Sequence, residues 1–192
     1  MPNFYIIAGC NGAGKTTASF TILPAILHCR EFVNADNIAY VISPWNMEGA
    51  AIEAGRLMLH RIAELMEKRE DFAIETTLAT RSYVGQVKKA KALGYTVTLL
   101  YIWIESTDMA MDRVATRVTK GGHNIPDEVV VRRYYKGLSN LFNLFVPICD
   151  EWVIANNSRE NLDIIASGQK NLVHIIENNE IWGIIQKQAY GT

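Results

Sequence analysis

The residues Gly9-Cys10-Asn11-Gly12-Ala13-Gly14-Lys15-Thr16 follow an apolar run at residues 4–8 and open a stretch with apolar residues at helical spacing, 15–27. They fit the pattern G-x-x-x-x-G-K-[ST], whose glycines let backbone N–H groups wrap around a phosphate. The helix that follows points its positive end at the anion. In this pattern the lysine reaches the β- and γ-phosphates and the hydroxyl ligates Mg²⁺. We therefore predict a loop that binds a magnesium nucleotide, with Lys15 on the phosphates and Thr16 on the metal.

The rest of the chain alternates between predicted strands and helices. Further strands are predicted at residues 31–34, 71–75, 95–104 and 152–155, and helices at 47–68, 81–93, 107–119 and from Pro126 onward. Continuous apolar strands separated by helices indicate a parallel sheet that is covered on both faces. We predict one α/β domain over residues 1–192, a three-layer P-loop NTPase sandwich with a five-stranded parallel sheet in the order 2-3-1-4-5. A C-terminal extension, residues 159–192, adds a strand or two and a helix.

The composition is that of an ordinary globular protein, since 49% of the 192 residues are hydrophobic and 20% are charged. The net charge of −1 weighs against a protein that wraps nucleic acid, which is usually more basic. No apolar run reaches the roughly 18 residues of a membrane span, and the N-terminus lacks the charged start of a signal peptide. Three unevenly spaced cysteines do not suggest a disulfide framework or a zinc site. We expect a soluble, cytoplasmic protein without a membrane partner.

Proteins with this loop divide into switch GTPases, motor-type ATPases and small-molecule kinases. The N-K-x-D signature with which GTPases read the base is absent, and no predicted apolar strand ends in the Asp that the ATPase class uses for Mg²⁺. Small-molecule kinases need a base for the acceptor hydroxyl, arginines that neutralise the transferred charge, and a closing lid. The residues after the predicted strands supply candidates for each of these parts.

Acidic and hydroxyl side chains follow the second and third predicted strands. Asp36 either takes a proton from an acceptor hydroxyl, holds a water on Mg²⁺, or caps the helix that follows it. Glu75 is either an acid on the Mg²⁺ side, a hydrogen-bond partner of a substrate hydroxyl, or a helix cap. Thr76 and Thr77 come next and are candidates for contacts with substrate or phosphate. Glu105, after the fourth strand, is a rival acid near the metal, but its polar surroundings favour a capping role.

A basic helix followed by a glycine pair has the features of a lid over residues 107–126. Arg113 and Arg117 are four residues apart and therefore share one face of the helix. Gly121-Gly122 then provides a hinge. The residues of interest beyond the hinge are His123, Pro126, Arg132 and Arg133. Guanidinium groups bind phosphoryl oxygens in bidentate fashion, so the arginines suit a kinase lid; the alternative is a solvated basic face.

Two further residues leave alternatives open. Cys10 in the loop is either an oxidation-sensitive thiol at a helix N-terminus or a small residue that fills a loop position, and we favour the second interpretation. Asn157, after the fifth strand, either faces the adenine of a nucleotide or belongs to a turn.

With these residues in place, the chain resembles the zeta toxin family of phosphate-loop kinases over residues 3–158. The segments that carry the resemblance are 9–17, 33–36, 72–77 and 113–126, together with the helix that begins at Pro126. The resemblance implies a kinase that phosphorylates a sugar hydroxyl. The best-known substrates of the family are UDP-activated amino sugars such as UDP-N-acetylglucosamine. The resemblance also implies an antitoxin protein as a partner.

The resemblance assigns roles to single residues. The assigned positions are Asp36 as the catalytic base, Lys15 on the phosphates, Thr16 on Mg²⁺, Arg117 as a lid arginine on phosphate, and Glu75 as an acid on the substrate side. Two departures stand out, because Cys10 replaces a frequent proline and the chain lacks the long insertions that extend the sugar-nucleotide pocket of larger toxins. The acceptor is therefore expected to be smaller or different.

We predict an ATP- and Mg²⁺-dependent kinase that transfers phosphate to an alcohol group of a small molecule. Its predicted catalytic residues are Asp36, Lys15 and Arg117. The predicted nucleotide-binding residues are Gly9, Cys10, Asn11, Gly12, Ala13, Gly14, Lys15, Thr16, Thr17, Arg113 and Asn157, of which Thr16 also binds the metal. The predicted substrate-binding residues are Asp36, Glu75, Thr76, Thr77, Arg132 and Arg133. The alternatives are a polynucleotide or nucleoside kinase, which the neutral charge balance disfavours, and a nucleotide-binding switch or toxin–antitoxin module without small-molecule turnover.

Overall fold

The structure is a computed structural model that describes residues 1–122 and 124–191; His123, beside the predicted hinge, lies outside the described residues. The strands are β1 (Asn3–Ala8), β2 (Glu31–Val33), β3 (Phe72–Thr76), β4 (Thr96–Trp103), β5 (Glu151–Asn156), β6 (Asp163–Gln169) and β7 (Leu172–Ile176). The helices are α1 (Lys15–Ala25), α2 (Ala35–Ile42), α3 (Met47–Lys68), α4 (Ser82–Ala92), α5 (Thr107–Thr119), α6 (Asp127–Asn140) and α7 (Asn179–Tyr190), with a π-helical turn at Leu141–Phe145 that continues α6. None of the helices within these described ranges is both long and apolar enough to cross a membrane.

One sheet runs through the centre of the molecule in the order β2-β3-β1-β4-β5-β6-β7. The strands β1 to β5 are parallel and confirm the predicted order 2-3-1-4-5. The strands β6 and β7 add an antiparallel edge, so the sheet is mixed and has seven strands rather than five. The short connection between β6 and β7 explains the difference, because a tight hairpin joins antiparallel strands whereas parallel strands need a long crossover.

Strand β1 lies in the middle of the sheet and is buried from Phe4 to Ala8. Phe4 stacks on Phe72 of β3 with ring centroids 4.5 Å apart, and Tyr95 meets the Phe72 ring edge-on at 5.7 Å. Helix α3 covers one face with an apolar stripe that consists of Met58, Ile62, Leu65 and Met66. Burial on both faces explains why the central strand is a continuous apolar run rather than an alternating one.

The carboxyl ends of the five parallel strands meet at one edge of the sheet. Strand β1 leads directly into the loop of residues 9–16, and β2 and β3 end beside it at Val33 and Thr76. Strand β5 ends at Asn156 on the other side of the loop. Ligands of such sheets bind beyond this edge. The fold therefore brings the predicted site residues of several distant segments to one place.

The C-terminal extension packs onto the sheet. Trp182 of α7 stacks on Trp152 of β5 with ring centroids 6.1 Å apart and an angle of 6° between the planes. Phe142 meets the Trp182 ring edge-on at 5.6 Å, and Ile185 is fully buried. Helix α7 therefore shares the core of the sheet.

Candidate active site

The glycines of the loop have backbone conformations that other residues rarely adopt. Gly9, Gly12 and Gly14 have φ angles of 148°, 78° and 86°. A Cβ on Gly9 would lie 2.3 Å from the Ile102 carbonyl oxygen, and one on Gly12 would lie 2.6 Å from that of Ala110. The loop thus packs tightly against the end of β4 and against α5. Glycine is required at these two positions by conformation and by space at once.

The N-terminus of α1 is open toward the loop. Its cap residue, Gly14, offers no side chain, and the first turn contains no acidic residue. Side chains of Asn34, Asn46, Ser106 and Asn178 cap α2, α3, α5 and α7, whereas α4 and α6, like α1, have no side-chain cap. The first N–H groups of a helix need partners from outside the helix, and they favour an anion. This end of α1 therefore fits a phosphate group.

The carboxylate of Glu75 is the centre of a polar cluster behind the loop. Thr16 Oγ1 and Asn34 Nδ2 each donate a hydrogen bond of 2.8 Å to Glu75 Oε2. Lys15 Nζ lies 3.7 Å from Glu75 Oε1 and donates to the Cys10 carbonyl oxygen at 2.8 Å. Of the roles that the sequence leaves open for Glu75, this geometry favours the one on the Mg²⁺ side over one on the substrate side.

Carboxylate and hydroxyl oxygens are ligands that Mg²⁺ prefers, and they usually complete the shell with waters and substrate phosphates. Thr16 and Glu75 supply one oxygen of each kind. Within residues 1–122 and 124–191, no group of three or more His, Cys, Asp or Glu side chains forms a metal cage. The pair therefore fits a metal that is held mainly by nucleotide phosphates.

Asp36 projects from the first turn of α2 into the cleft. The cap of α2 is Asn34, whose Oδ1 accepts hydrogen bonds from the backbone N–H groups of Asp36 and Asn37 at 2.8 and 3.3 Å. The interpretation of Asp36 as the cap is therefore wrong, because Asn34 already fills that position. The Asp36 carboxylate makes no hydrogen bond or ion pair with any other residue that the structure describes.

Asp36 lines four adjoining cavities, which together form the cleft. One, of about 340 Å³, lies beside the loop and is lined by Lys15, Thr16, Arg113 and Arg117. The second, of about 350 Å³, lies beyond Glu75 and is lined by five residues with hydroxyl groups, Thr76, Thr77, Thr80, Ser82 and Tyr83. The third, of about 300 Å³, reaches α6 and includes Arg132 and Arg133. The fourth, of about 450 Å³, is bordered by Tyr40 and by Trp45, whose side chain is 98% exposed.

The predicted lid arginines lie on the loop side of the cleft. Arg113 donates to the Ser158 carbonyl oxygen at 3.3 Å, and Arg117 is exposed within the same cavity. Gly122 N–H donates to the Arg117 carbonyl oxygen at 3.0 Å, and a Cβ on Gly122 would lie 2.6 Å from Arg117 Cγ. The chain therefore folds back tightly after α5, where the sequence predicts a hinge.

The arginine pair on α6 divides between two environments. Arg133 donates to Asn11 Oδ1 in the loop at 3.2 Å and lines the second and third cavities. Burial lowers the pKa of Arg133, and the negative charge of Asp36 partly opposes this shift. Arg132 is exposed and lines the third cavity. Of the two, Arg133 is the one that joins the loop to the second and third cavities.

Three other predicted site residues are buried or hydrogen-bonded to the protein itself. Cys10 is 2% exposed, and burial raises the pKa of its thiol to about 11, which suits the packing role that we favour over a reactive thiol. Asn157 Nδ2 donates to the Ala13 carbonyl oxygen at 2.8 Å, so this side chain braces the loop. Thr76 Oγ1 accepts a hydrogen bond from the Leu78 N–H at 3.1 Å.

Sequence reasoning missed Asn34 and the role of Asn11 as the partner of Arg133. An Asn between a strand and a helix is a signal for a helix cap, and it was available in the sequence. The contacts of these two side chains join residues 41 and 122 positions apart. No local pattern contains that information.

Comparison with known proteins identifies the family of this chain. The family described as Zeta toxin matches residues 1–169. The chain belongs to the Zeta toxin family. The family expected from the sequence is thereby confirmed, and α7 lies beyond the matched segment.

An uncharacterized protein of Haemophilus influenzae is 33% identical over 126 residues, which are 66% of this chain and 88% of that protein. The AvrRxo1-ORF1:ORF2 complex with ATP is similar with a TM-score of 0.77 and 16% identity, covering 98% of this chain and 64% of the AvrRxo1 chain. A chain of the PezAT toxin–antitoxin system of Streptococcus pneumoniae is similar with a TM-score of 0.70 and 17% identity, covering 100% of this chain and 80% of that one. Shikimate kinase from Acinetobacter baumannii is similar with a TM-score of 0.50 and 19% identity, covering 84% of this chain and 85% of the shikimate kinase.

This chain thus spans less than two thirds of the AvrRxo1 protein with which it shares its fold. At such low identities the solved structures show the fold alone, and that fold is one of P-loop kinases. The family match thus gives the family of this chain, and the neighbours give its fold.

Proposed function

We propose that this Zeta toxin family member is an ATP- and Mg²⁺-dependent kinase that phosphorylates an alcohol group of a small acceptor. A sugar hydroxyl is the expected target, and UDP-N-acetylglucosamine is the first acceptor to test. The observation that carries the proposal is the position of Asp36, which lines both the cavity beside the loop and the cavity beyond Glu75, where we place the acceptor. Because Asn34 caps α2, the Asp36 carboxylate is available to accept a proton.

The nucleotide would be held on the loop side of the cleft. Lys15 and the open N–H groups of α1 would hold the β- and γ-phosphates, and Thr16 and Glu75 would hold Mg²⁺. When bound, Mg²⁺ neutralises charge on the phosphates. Arg113 and Arg117 line the same cavity, so their guanidinium groups would balance the charge that develops on the transferred group.

In the proposed reaction, the acceptor oxygen forms a bond to the γ-phosphorus while the bond from that phosphorus to the β–γ bridging oxygen breaks. ADP leaves with the electron pair of the broken bond, and the hydroxyl proton passes to Asp36. The acceptor would reach Asp36 from the cavity lined by threonine, serine and tyrosine residues. Hydroxyl groups both donate and accept hydrogen bonds, so this wall suits a sugar.

Transfer of γ-labelled phosphate tests the proposal. The acceptors are UDP-N-acetylglucosamine, simple sugars, nucleosides and a 5′-hydroxyl oligonucleotide, each with the wild type and with Asp36→Asn. We expect label on a sugar-containing acceptor and a rate at least about 100-fold lower in the variant, because a general base contributes on that order. The affinity for Mg-ATP, measured by calorimetry, should change less than about twofold.

Glu48→Gln is the matched control, because Glu48 is an exposed carboxylate of the same cleft that lines the α6 cavity and not the loop cavity. It should transfer at the wild-type rate. Wild-type activity in Asp36→Asn would remove Asp36 from the mechanism. Label on the oligonucleotide alone would make the protein a polynucleotide kinase, and label on no acceptor, with Mg-ATP still bound, would favour a binding module.

A toxin held inactive by a partner protein is a second candidate that shares the same site. Two of the similar solved structures favour it, because one is a complex of AvrRxo1-ORF1 with ORF2 and the other belongs to a toxin–antitoxin system. Expression of the chain alone in a bacterial host should then arrest growth. Asp36→Asn should relieve that arrest, and an equally toxic variant would separate toxicity from phosphate transfer.

A further inference from the structure

We infer that helix α7 positions the active site and that Gln188 is the residue through which it acts. The inference rests on the proposed kinase function, since it concerns how Arg133 is held against the loop. It concerns residues beyond 1–169, the segment on which the family assignment rests. The family match therefore does not assign a role to α7.

The side-chain amide of Gln188 forms hydrogen bonds with β4, with α6 and with the segment between β4 and α5. Its Oε1 lies 2.9 Å from Trp103 Nε1 and 2.9 Å from the Tyr134 hydroxyl oxygen, and its Nε2 donates to the Glu105 carbonyl oxygen at 3.1 Å. An indole N–H can only donate and a backbone carbonyl can only accept. These two neighbours therefore fix which end of the amide points to β4 and which to the residues after it.

Tyr134 connects this amide to α6. Its hydroxyl oxygen lies 2.7 Å from the Ile104 carbonyl oxygen and 2.9 Å from Gln188 Oε1. The hydroxyl has one proton, which is shared between these two acceptors. The ring is 2% exposed, and burial raises the pKa of the hydroxyl, so the proton stays on Tyr134 at any ordinary pH. Helix α6 is thus tied at its middle to the end of β4 and to α7.

Arg133 immediately precedes Tyr134 on α6, and its guanidinium group donates to Asn11 in the loop. The N-terminal end of α6 has no side-chain cap, because the residue in that position is Pro126. The hydrogen bonds of Tyr134 therefore hold the middle of α6, while the Asn140 amide, which donates to the Leu78 carbonyl oxygen at 2.6 Å, holds its C-terminal end. A rotation of α6 would move Arg133 away from the loop and from the cavities beside Asp36.

The same amide also holds the peptide that connects β4 to α5. The Glu105 carbonyl oxygen accepts from Gln188, and its N–H donates to Ser158 Oγ at 2.9 Å. The Ser158 carbonyl oxygen in turn accepts from Arg113. Gln188 is therefore a positioning residue for both sides of the cleft, although it touches neither the loop nor the cavities.

Gln188→Leu tests the inference, because leucine keeps the bulk and removes every hydrogen bond of the amide. We expect the transfer rate to fall about tenfold while the KM for ATP changes less than about twofold, as for a lost interaction in the transition state. Hydrogen exchange of the α6 amides, residues 127–140, should become at least about tenfold faster. Gln186→Leu, on the same helix but outside this network, is the matched control and should leave both measurements unchanged.

A double-mutant cycle separates positioning from general loosening. In an Arg133→Met background, Gln188→Leu should lower the transfer rate clearly less than tenfold, since one of the two arginines through which Gln188 acts is already gone and only the route through Arg113 remains. A tenfold loss of transfer rate in both backgrounds would overturn the inference. An equal effect of Gln186→Leu would also overturn it.

A second variant covers the case in which Gln188→Leu does not fold. Tyr134→Phe keeps the ring and removes only the hydroxyl, and it should accelerate the exchange of the α6 amides in the same way. If no acceptor receives phosphate, the proposed function fails, but the exchange of α6 still tests this inference. Unchanged α6 exchange in a folded variant that lacks these bonds would overturn it.

Discussion

Gly9, Gly12 and Gly14 show how closely the loop depends on single residues. Their φ angles are positive, and side chains at these positions would meet Ile102, Ala110 and Asn157. Sequence reasoning explains loop glycines by the space that a phosphate needs. The structure adds that the loop would not fit against its own neighbours with larger residues. Substitution is therefore expected to affect stability as well as binding.

Gly9→Ala should lower the free energy of unfolding by about 2 kcal/mol or more, since the φ angle and the contact with Ile102 are both unfavourable. It should also weaken binding of Mg-ATP. Urea unfolding and calorimetry measure the two effects. Gly55→Ala is the matched control, because Gly55 lies inside α3 with open space around it. That change should stabilise the protein by about 0.5–1 kcal/mol, and a loss as large as that of Gly9→Ala would contradict the explanation.

Residue roles were easiest to propose where the sequence pattern is local. The spacing within the loop predicts roles for Lys15 and Thr16, whereas the position of Asp36 after a strand left its role open and only the family resemblance assigned it as a base. The surroundings of Glu75 could not be predicted in this way. Its carboxylate contacts Thr16 across 59 residues and Asn34 across 41, and these contacts exist only once β1, β2 and β3 lie side by side. The sequence therefore left its role open.

At the scale of elements, the start of α2 is linked to the cleft by one side chain. Asn34 uses its oxygen to cap the helix and its amide nitrogen to reach Glu75. An aspartate would cap equally well but has no N–H to donate. The position of Asp36, in the first turn of that helix, depends on the same cap.

Asn34→Asp should therefore destabilise the protein by about 2 kcal/mol, because it places two carboxylates in contact at a site where Asn34 is buried. Asn46→Asp is the matched control, since Asn46 caps α3 in an exposed position through a hydrogen bond to the Gly49 N–H. Its effect should stay within about 0.5 kcal/mol. Urea unfolding of both variants at neutral pH makes the comparison. Equal stabilities would show that the contact with Glu75 contributes nothing.

Element boundaries were predictable to within a few residues where apolar runs end at glycine or polar residues. Helix α1 ends at Ala25 although the apolar pattern continues to residue 27, and it contains Pro24. The proline lacks the N–H with which it would bond to the preceding turn, and this weakens the helix near its end. A pattern of apolar residues does not carry that information.

For the whole molecule, the order of the five parallel strands was predictable and the antiparallel edge was not. Alternating strands and helices restrict the connections strongly, and the loop identifies the strand at the centre. In the C-terminal extension, short strands are followed by polar turns, and such a pattern is compatible with several arrangements. The contact between Trp182 and Trp152 holds α7 against β5, and it depends on packing between distant segments that no local pattern contains.

Trp182→Ala should lower the free energy of unfolding by roughly 3 kcal/mol, since it removes a buried aromatic ring from the core that α7 shares with the sheet. Trp45→Ala removes the same side chain from an exposed position and should change stability by less than about 0.5 kcal/mol. Thermal and urea unfolding distinguish the two. Similar stabilities of both variants would show that α7 is not part of the core.

The exposure of Trp45 gives the protein an optical property. Three of its four tryptophans, at positions 103, 152 and 182, are at most 8% exposed, whereas Trp45 is 98% exposed beside Asp36. An indole in water emits at longer wavelength than one in a core, and dissolved iodide quenches it selectively. The red edge of the emission spectrum therefore comes mainly from one side chain at the mouth of the cleft. With Trp45→Phe as the blank, this emission reports ligand binding in the cavity bordered by Trp45, and no fluorescent label is needed.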